Sequence, residues 1–334
     1  MLSQRDVTQA KERHKEIIMA KPNVVGVGMG YKETRGRMTD ELCVVALVRK
    51  KVPKLGLRPD SRVPSKVDGI ITDVIQVGEL RALSTPTDRI RPVPGGVSLG
   101  HYKVTAGTLG CVVFDQDTRK RLILSNNHVL AESNDALIGD QILQPGPVDG
   151  GRVAKDTVAT LERFCPINFS TGPATCKFAL IFADVGNSIA KLLGSKYRVE
   201  AYWSDEEASN RVDAAVAKPV EGITFLDEIM DIGAVAGTAP ARLGMLVRKS
   251  GRTTGFTSGQ ITVLEATVDI RYGDRTARFE GQIITGPMSK PGDSGSLLVA
   301  GDSLFAIGLL FAGSEQATVH NPIQDVLDSL EVVI

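Results

Sequence analysis

The chain has 334 residues, with 39 lysines and arginines against 39 aspartates and glutamates, and 42% hydrophobic content. This length corresponds to about two to three ordinary domains and allows substantial cores. The charge balance gives no long-range attraction for nucleic acid or an anionic surface.

The first residues, MLSQRDVTQAKERHKEI, are polar and mixed in charge, and no apolar h-region follows, which predicts no secretory leader. No apolar run approaches the roughly 20 residues of a membrane span. Residues 6–20 read as a helix, with Asp6 as N-cap and Val7, Ala10, Ile17 and Ile18 on one face. Three strand-like segments follow, NVVGVGMGYKE, ELCVVALVRKK and GIITDVIQVGEL. Residues 1–83 therefore predict a small α+β domain. The GVGMG run is followed by the polar YKETRGRMTD, where a dinucleotide fingerprint would need a helix, so it reads as a glycine-rich strand. Residues 84–96, STPTDRIRPVPGG, read as a linker.

From residue 97 onward, short strands alternate with turns in the manner of a sandwich or barrel: TLGCVVFD, RLILSNN, MLVRKSG, GQITVLEATVDIRYG, SGSLLVA and LFAIGLLFAG. One segment departs from this pattern. ALIFADVGNSIAKLLGS, residues 179–195, has helical periodicity and reads as a surface helix packed on the barrel. NPIQDVLDSL reads as a terminal helix with Ile323, Val326, Leu327 and Leu330 facing the core. Cys43, Cys111, Cys165 and Cys176 lack metal-ligand spacing, and without a leader they favour reduced thiols and a cytoplasmic location. No metal or cofactor motif is expected.

KPGDSGSLLV, residues 290–299, sets Ser294 between a glycine-rich turn and an apolar run. A serine hydroxyl is a poor nucleophile until a base takes its proton. The nucleophile elbow G-x-S-x-G would need glycine where Ser296 stands, and then an acid and a histidine after the serine. Only His320 follows, 26 residues on, so that order is disfavoured. In the order His, Asp, Ser, His128 in LILSNNHVLA ends an apolar strand, and Asp213 in RVDAAVAKP opens one made of small apolar residues. Each residue taken singly is compatible with an ordinary structural role.

Together, LSNNHVLA, NRVDAAVA and KPGDSGSLLV resemble the three catalytic segments of the trypsin/chymotrypsin-like serine peptidases. RKSGRTTGFTSGQI, residues 248–261, resembles the S-G-R-T-T-G strand of the bacterial branch that includes α-lytic protease and the streptogrisins. The resemblance covers about residues 97–334. It implies a chymotrypsin-like double β-barrel, with His128 as general base, Asp213 as its orienting acid and Ser294 as nucleophile. The amides of Gly292 and Ser294 would form the oxyanion hole, and Arg252 would pair with Asp293 to hold that turn. Substrate would lie along Phe311, Ala312 and Gly313, with Met288 and Ser289 as pocket walls and His320 within reach of an acidic side chain. Val129 and Lys249 stand where the family carries cysteines. The separation of His128 from Asp213 implies an insertion over about 163–205. The expected activity is a serine endopeptidase acting on protein or peptide substrates, with no cofactor, metal, nucleic acid or membrane span, and with homo-oligomerisation left open. The competing readings are a silent peptide-binding scaffold on the same fold and an esterase using the same triad.

Overall fold

The computed structural model describes residues 2–34, 37–53, 56–78 and 85–334. It divides into two compact units, Met1–Leu83 and Ser84–Ile334. In the first, the helix Gln4–Met19 lays Val7, Ala10 and Ile18 on a sheet made of Val24–Thr34, Arg37–Val48, Lys66–Val67 and Ile70–Gln76. The helix starts earlier than the sequence reading placed it. Ser3 is the N-cap, and Asp6 at the third helical position accepts from its backbone and hydroxyl, a reciprocal capping box that satisfies amides the first turn leaves without partners. GVGMG lies within the strand Val24–Thr34.

The second unit holds two barrels. The first contains Ser98–His101, Gly107–Thr108, Cys111–Asp115, Arg121–Ser125, Gln141–Leu143, Thr157–Phe164 and Ala215–Pro219, joined on one edge by the terminal Val332–Val333. In the second, Leu246–Gly251, Gly255–Tyr272, Arg275–Thr285, Thr318–Pro322, Phe305–Gly313 and Leu297–Ala300 pair in a closed ring. In the first barrel alternate strand residues enter two apolar clusters, Val112, Ile123, Ala215 and Ala217 in one and Cys111, Val113, Leu122, Leu124 and Val216 in the other, as the two-residue period of a strand requires. This is the chymotrypsin-like double β-barrel, carrying a helical insertion and a terminal helix, Ile323–Leu330. That helix buries Ile323, Val326, Leu327 and Leu330 in a cluster shared by Val113 and Leu124 of the first barrel and Leu297 and Val299 of the second.

Two features differ from the sequence reading. In the proline- and glycine-rich segment taken as a linker, residue 84 lies outside the described residues, and residues 85–96 are packed against the two-barrel unit. Val93–Gly95 is a buried strand that pairs in parallel with Phe225–Ile229, and Ile90 packs on the first barrel's core. The insertion's helix, Lys177–Leu192, buries Ala183 but leaves Phe178, Phe182 and Leu192 exposed, so its apolar stripe does not face the barrel. All four cysteines are free, and no helix among the described residues is long and apolar enough to cross a membrane.

Candidate active site

His128 sits in a single helical turn, Asn127–Leu130, directly after the strand Arg121–Ser125. Asp213 immediately precedes the neighbouring strand Ala215–Pro219, which pairs with Arg121–Ser125. The sheet therefore delivers both side chains to one strand end. His128 Nδ1 donates to Asp213 Oδ2 at 2.6 Å, and the backbone amide of His128 reaches Oδ1 at 3.2 Å. Asp213 is fully buried, whereas the His128 side chain retains 21% exposure. A buried carboxylate needs partners, and a third donor is the hydroxyl of Tyr272, 2.7 Å from Oδ2. Burial and the neighbouring carboxylate push the Tyr272 phenol well above its ordinary value, so it remains a donor.

The backbone around Asp213 is fixed in the same way. Asn126 Nδ2 donates to the Asp213 carbonyl at 2.7 Å, and the Asp213 amide donates to Asn321 Oδ1 at 3.0 Å. Asn321 in turn donates to Gln282 at 2.7 Å. This buried chain of amides ties the acid to both barrels.

Ser294 lies on the turn between Thr285 and Leu297, in the second barrel. Gly292 and Gly295 have φ of 99° and 94° there, a region that side-chain-bearing residues rarely adopt. The Ser294 carbonyl accepts from the amide of Thr108 at 2.7 Å, and the Gly292 carbonyl accepts from the Thr108 hydroxyl at 2.9 Å. Thr108 belongs to the first barrel, so these bonds bring the serine turn against the barrel that carries His128. The adjoining Gly107 has room only for hydrogen, because a Cβ there would lie 2.4 Å from Val129 and 3.0 Å from the Ser294 carbonyl. The Ser294 hydroxyl points to the Phe311 carbonyl at 3.4 Å. The imidazole Nε2 of His128 has no protein partner among the described residues, and neither do the amides of Gly292 and Ser294.

The support of the serine turn differs from expectation. Arg252 does not pair with Asp293. Its guanidinium is bidentate to Asp149, at 2.8 and 2.5 Å. Asp293 pairs instead with Lys249, 3.3 Å away, and both side chains are fully buried. The Asp293 carboxylate also accepts from the amides of Thr253, Thr254 and Lys290 and from the Thr254 hydroxyl. Burial alone would raise this carboxyl, but the Lys249 charge and these donors outweigh it and hold the group below the ordinary carboxylate range. Desolvation lowers the Lys249 ammonium against the pull of Asp293. The ion pair follows from strand geometry: Val247, Lys249 and Gly251 all point inward on Leu246–Gly251. A lysine at an inward position of a strand was the available sequence signal, because a fully buried ammonium is rarely left unpaired. Tyr272 carried no such signal, since it ends a long strand of mixed exposure.

The expected pocket residues divide into two groups. Ala312 and Gly313 lie partly or fully open on Phe305–Gly313, and a register shift between Leu310 and Ala312 takes Phe311 out of the regular ladder. Ser289 bonds the Thr318 hydroxyl at 2.9 Å. Met288, however, belongs to the second barrel's core with Val247, Ile261 and Leu298. His320 is fully buried, with Nε2 3.1 Å from the Thr285 hydroxyl. Burial drives its pKa down to about 3, so at neutral pH it presents no cation to an acidic side chain.

No family model matches the chain. It is 42% identical over 80 residues to serine protease 2 of Streptomyces fradiae, which is 24% of this chain and 43% of that protein. The chain thus spans less than half the length of that relative. It is 26% identical over 251 residues to streptogrisin-A of Streptomyces griseus, covering 68% of this chain and 78% of the relative. Among solved structures it is similar to the Nocardiopsis protease, at 17% identity and a TM-score of 0.46, covering 72% of this chain and 97% of that one.

Proposed function

From a chain that is similar to the trypsin/chymotrypsin-like serine peptidases, in the bacterial branch of the streptogrisins, we propose that it is a serine endopeptidase working through His128, Asp213 and Ser294. The observation that carries this reading is the 2.6 Å bond from His128 to a fully buried Asp213, beside a serine turn whose two amides are unpaired. Asp213 holds the proton on Nδ1, which leaves Nε2 as the basic nitrogen. Nε2 takes the Ser294 proton as Oγ attacks a peptide carbonyl. The developing oxyanion is received by the amides of Gly292 and Ser294, donors typically worth ~2.7–4 kcal/mol each in a transition state. His128 then protonates the leaving amine, and water repeats the sequence on the acyl-enzyme. An extended peptide would pair with the backbone around Ala312 and Gly313.

The Ser294 hydroxyl points to the Phe311 carbonyl, and a bound substrate would turn it towards Nε2. The test is labelling with a fluorophosphonate, together with peptide turnover. Ser294→Ala should abolish labelling and lower turnover by several decades while the fold is kept. Parent protein that resists the label and leaves peptides intact would identify a silent scaffold.

A further inference from the structure

The geometry points to a lipid-surface site on the insertion, in which the helix Lys177–Leu192 lies flat in the headgroup region of an anionic membrane. This goes beyond the peptidase reading and does not depend on it. The helix is built with its polarity reversed. Ala179, Ala183, Gly186 and Ala190 form its narrow side; Ala183 is buried, and Gly186 approaches Val199 of the returning segment. On the adjoining side, Phe178, Ile181, Phe182, Val185, Ile189 and Leu192 recur at the three- and four-residue spacing of one helix face. Phe178 is 84% exposed, Phe182 78% and Leu192 86%. The following Leu193 and Tyr197 extend the same exposed apolar surface. Leaving this much apolar surface in water is unfavourable, and such a patch marks a binding face.

Its chemistry favours lipid over protein. Although the whole chain is neutral, the helix and the turn after it, residues 177–198, carry Lys177, Lys191, Lys196 and Arg198 against Asp184, while the acids Glu200, Asp205, Glu206 and Glu207 fall in the segment beyond. Lysine stems beside an apolar face reach up to headgroup phosphates, and each cation near an anionic surface strengthens binding. Tyr197 is exposed in the segment that leaves the helix, and Tyr202 and Trp203 are exposed in the strand Tyr202–Ser204 that follows; such amphipathic rings suit the interfacial depth. A two-fold contact between copies of this chain is disfavoured, because a lysine stands at each end of the helix. Parallel or antiparallel packing alike would oppose cations. At 16 residues, with an exposed polar flank, the helix fits the plane of the interface.

Trp203, in the strand Tyr202–Ser204 that follows the helix, is the single tryptophan of the chain and serves as its fluorescent reporter. The full chain carrying Ser294→Ala would be mixed with vesicles of phosphatidylcholine alone or with phosphatidylglycerol. Trp203 emission should shift to the blue and the protein should sediment with the vesicles, more strongly with phosphatidylglycerol. Phe182→Asp with Ile189→Asp alters only exposed positions and should weaken binding about a hundredfold or more. Lys191→Glu with Lys196→Glu should weaken it about fivefold for each cation removed. Absence of binding by the parent, or binding unchanged in the Phe182 and Ile189 variant, overturns the site. Sedimentation equilibrium completes the test: self-association that depends on the stripe, without vesicle binding, would assign the face to a second copy.

Discussion

At the scale of single residues, the buried pair of Lys249 and Asp293 supports the turn that carries Ser294. Removing one partner of a buried ion pair leaves an uncompensated charge, at a cost of about 3–5 kcal/mol. Lys249→Met should therefore lower thermal stability and turnover together. Combined with Asp293→Asn it should be markedly less than additive, because both changes delete one shared interaction. Arg252→Ala breaks the pair with Asp149 and a bond to the Thr253 hydroxyl, but Asp149 keeps the Ser98 hydroxyl at 2.6 Å and Thr253 keeps the Pro291 carbonyl, so its effect should be smaller. The pH dependence has a definite sign. The Asp293 carboxyl is held below its unfolded value, so its contribution is present above about pH 4 and fades as pH falls through the lower folded value. Lys249→Met removes the cation that depresses it, and the acid limb of the unfolding midpoint should move to higher pH. An unchanged acid limb would remove Lys249 from this role. Tyr272→Phe is a second residue-scale test. It deletes one hydrogen bond to a charged acceptor, about 1.5–3 kcal/mol, and leaves the bond to His128 in place. The expected outcome is reduced kcat with the fold retained.

At the scale of elements, the terminal helix Ile323–Leu330 fastens the two barrels, because its four buried residues pack into a cluster drawn from both. Leu330→Ala should cost about 2–5 kcal/mol by transfer and cavity formation. In a unit of this size each kcal/mol corresponds to about 2–4 °C in Tm, which differential scanning calorimetry would resolve. Loss of stability confined to the second barrel would show that the helix does not join them. The insertion's helix stands in contrast. Its side chains are exposed, so substitutions on its apolar face should leave Tm nearly unchanged. The same periodic pattern thus stabilises one helix and presents the other to its surroundings.

At the scale of the whole molecule, each unit has its own apolar cluster: Val7, Val44, Ala46 and Ile70 in the first, and the clusters of the two barrels in the second. Residues 84–334 should fold when expressed alone. Residues 97–334 should not, because they lack Val93, which is fully buried, and the strand that pairs with Phe225–Ile229. Circular dichroism and yield of the two fragments check this. Normal folding of the shorter fragment would restore a linker reading of the segment before residue 97. For residues 1–83 we propose a regulatory, folding or assembly role towards the second unit. Changed peptide turnover by a well-folded 84–334 fragment would support regulation, and yield restored by adding 1–82 would support a folding role. Unchanged folding and turnover would exclude both.

The amino-acid sequence by itself specified the β-rich class, the two-part organisation and the order of His128, Asp213 and Ser294. These are local properties: strand alternation, turn glycines, and a histidine or aspartate at the end of an apolar run. Gly292, to which the resemblance gave an oxyanion role, does take the positive φ that favours glycine in a tight turn. Only the tertiary structure decided who pairs with whom. Arg252 and Lys249 are both cations within four residues of each other, and their partners follow from which side of one strand faces inward, not from composition. Tyr272 reaches Asp213 from 59 positions away in the chain, a proximity created by barrel closure. The apolar stripe of Lys177–Leu192 has a helical period whether it is covered or bare, since periodicity reports that a helix has two faces. Which face meets the protein depends on how the neighbouring segments pack, and here the small residues won the contact.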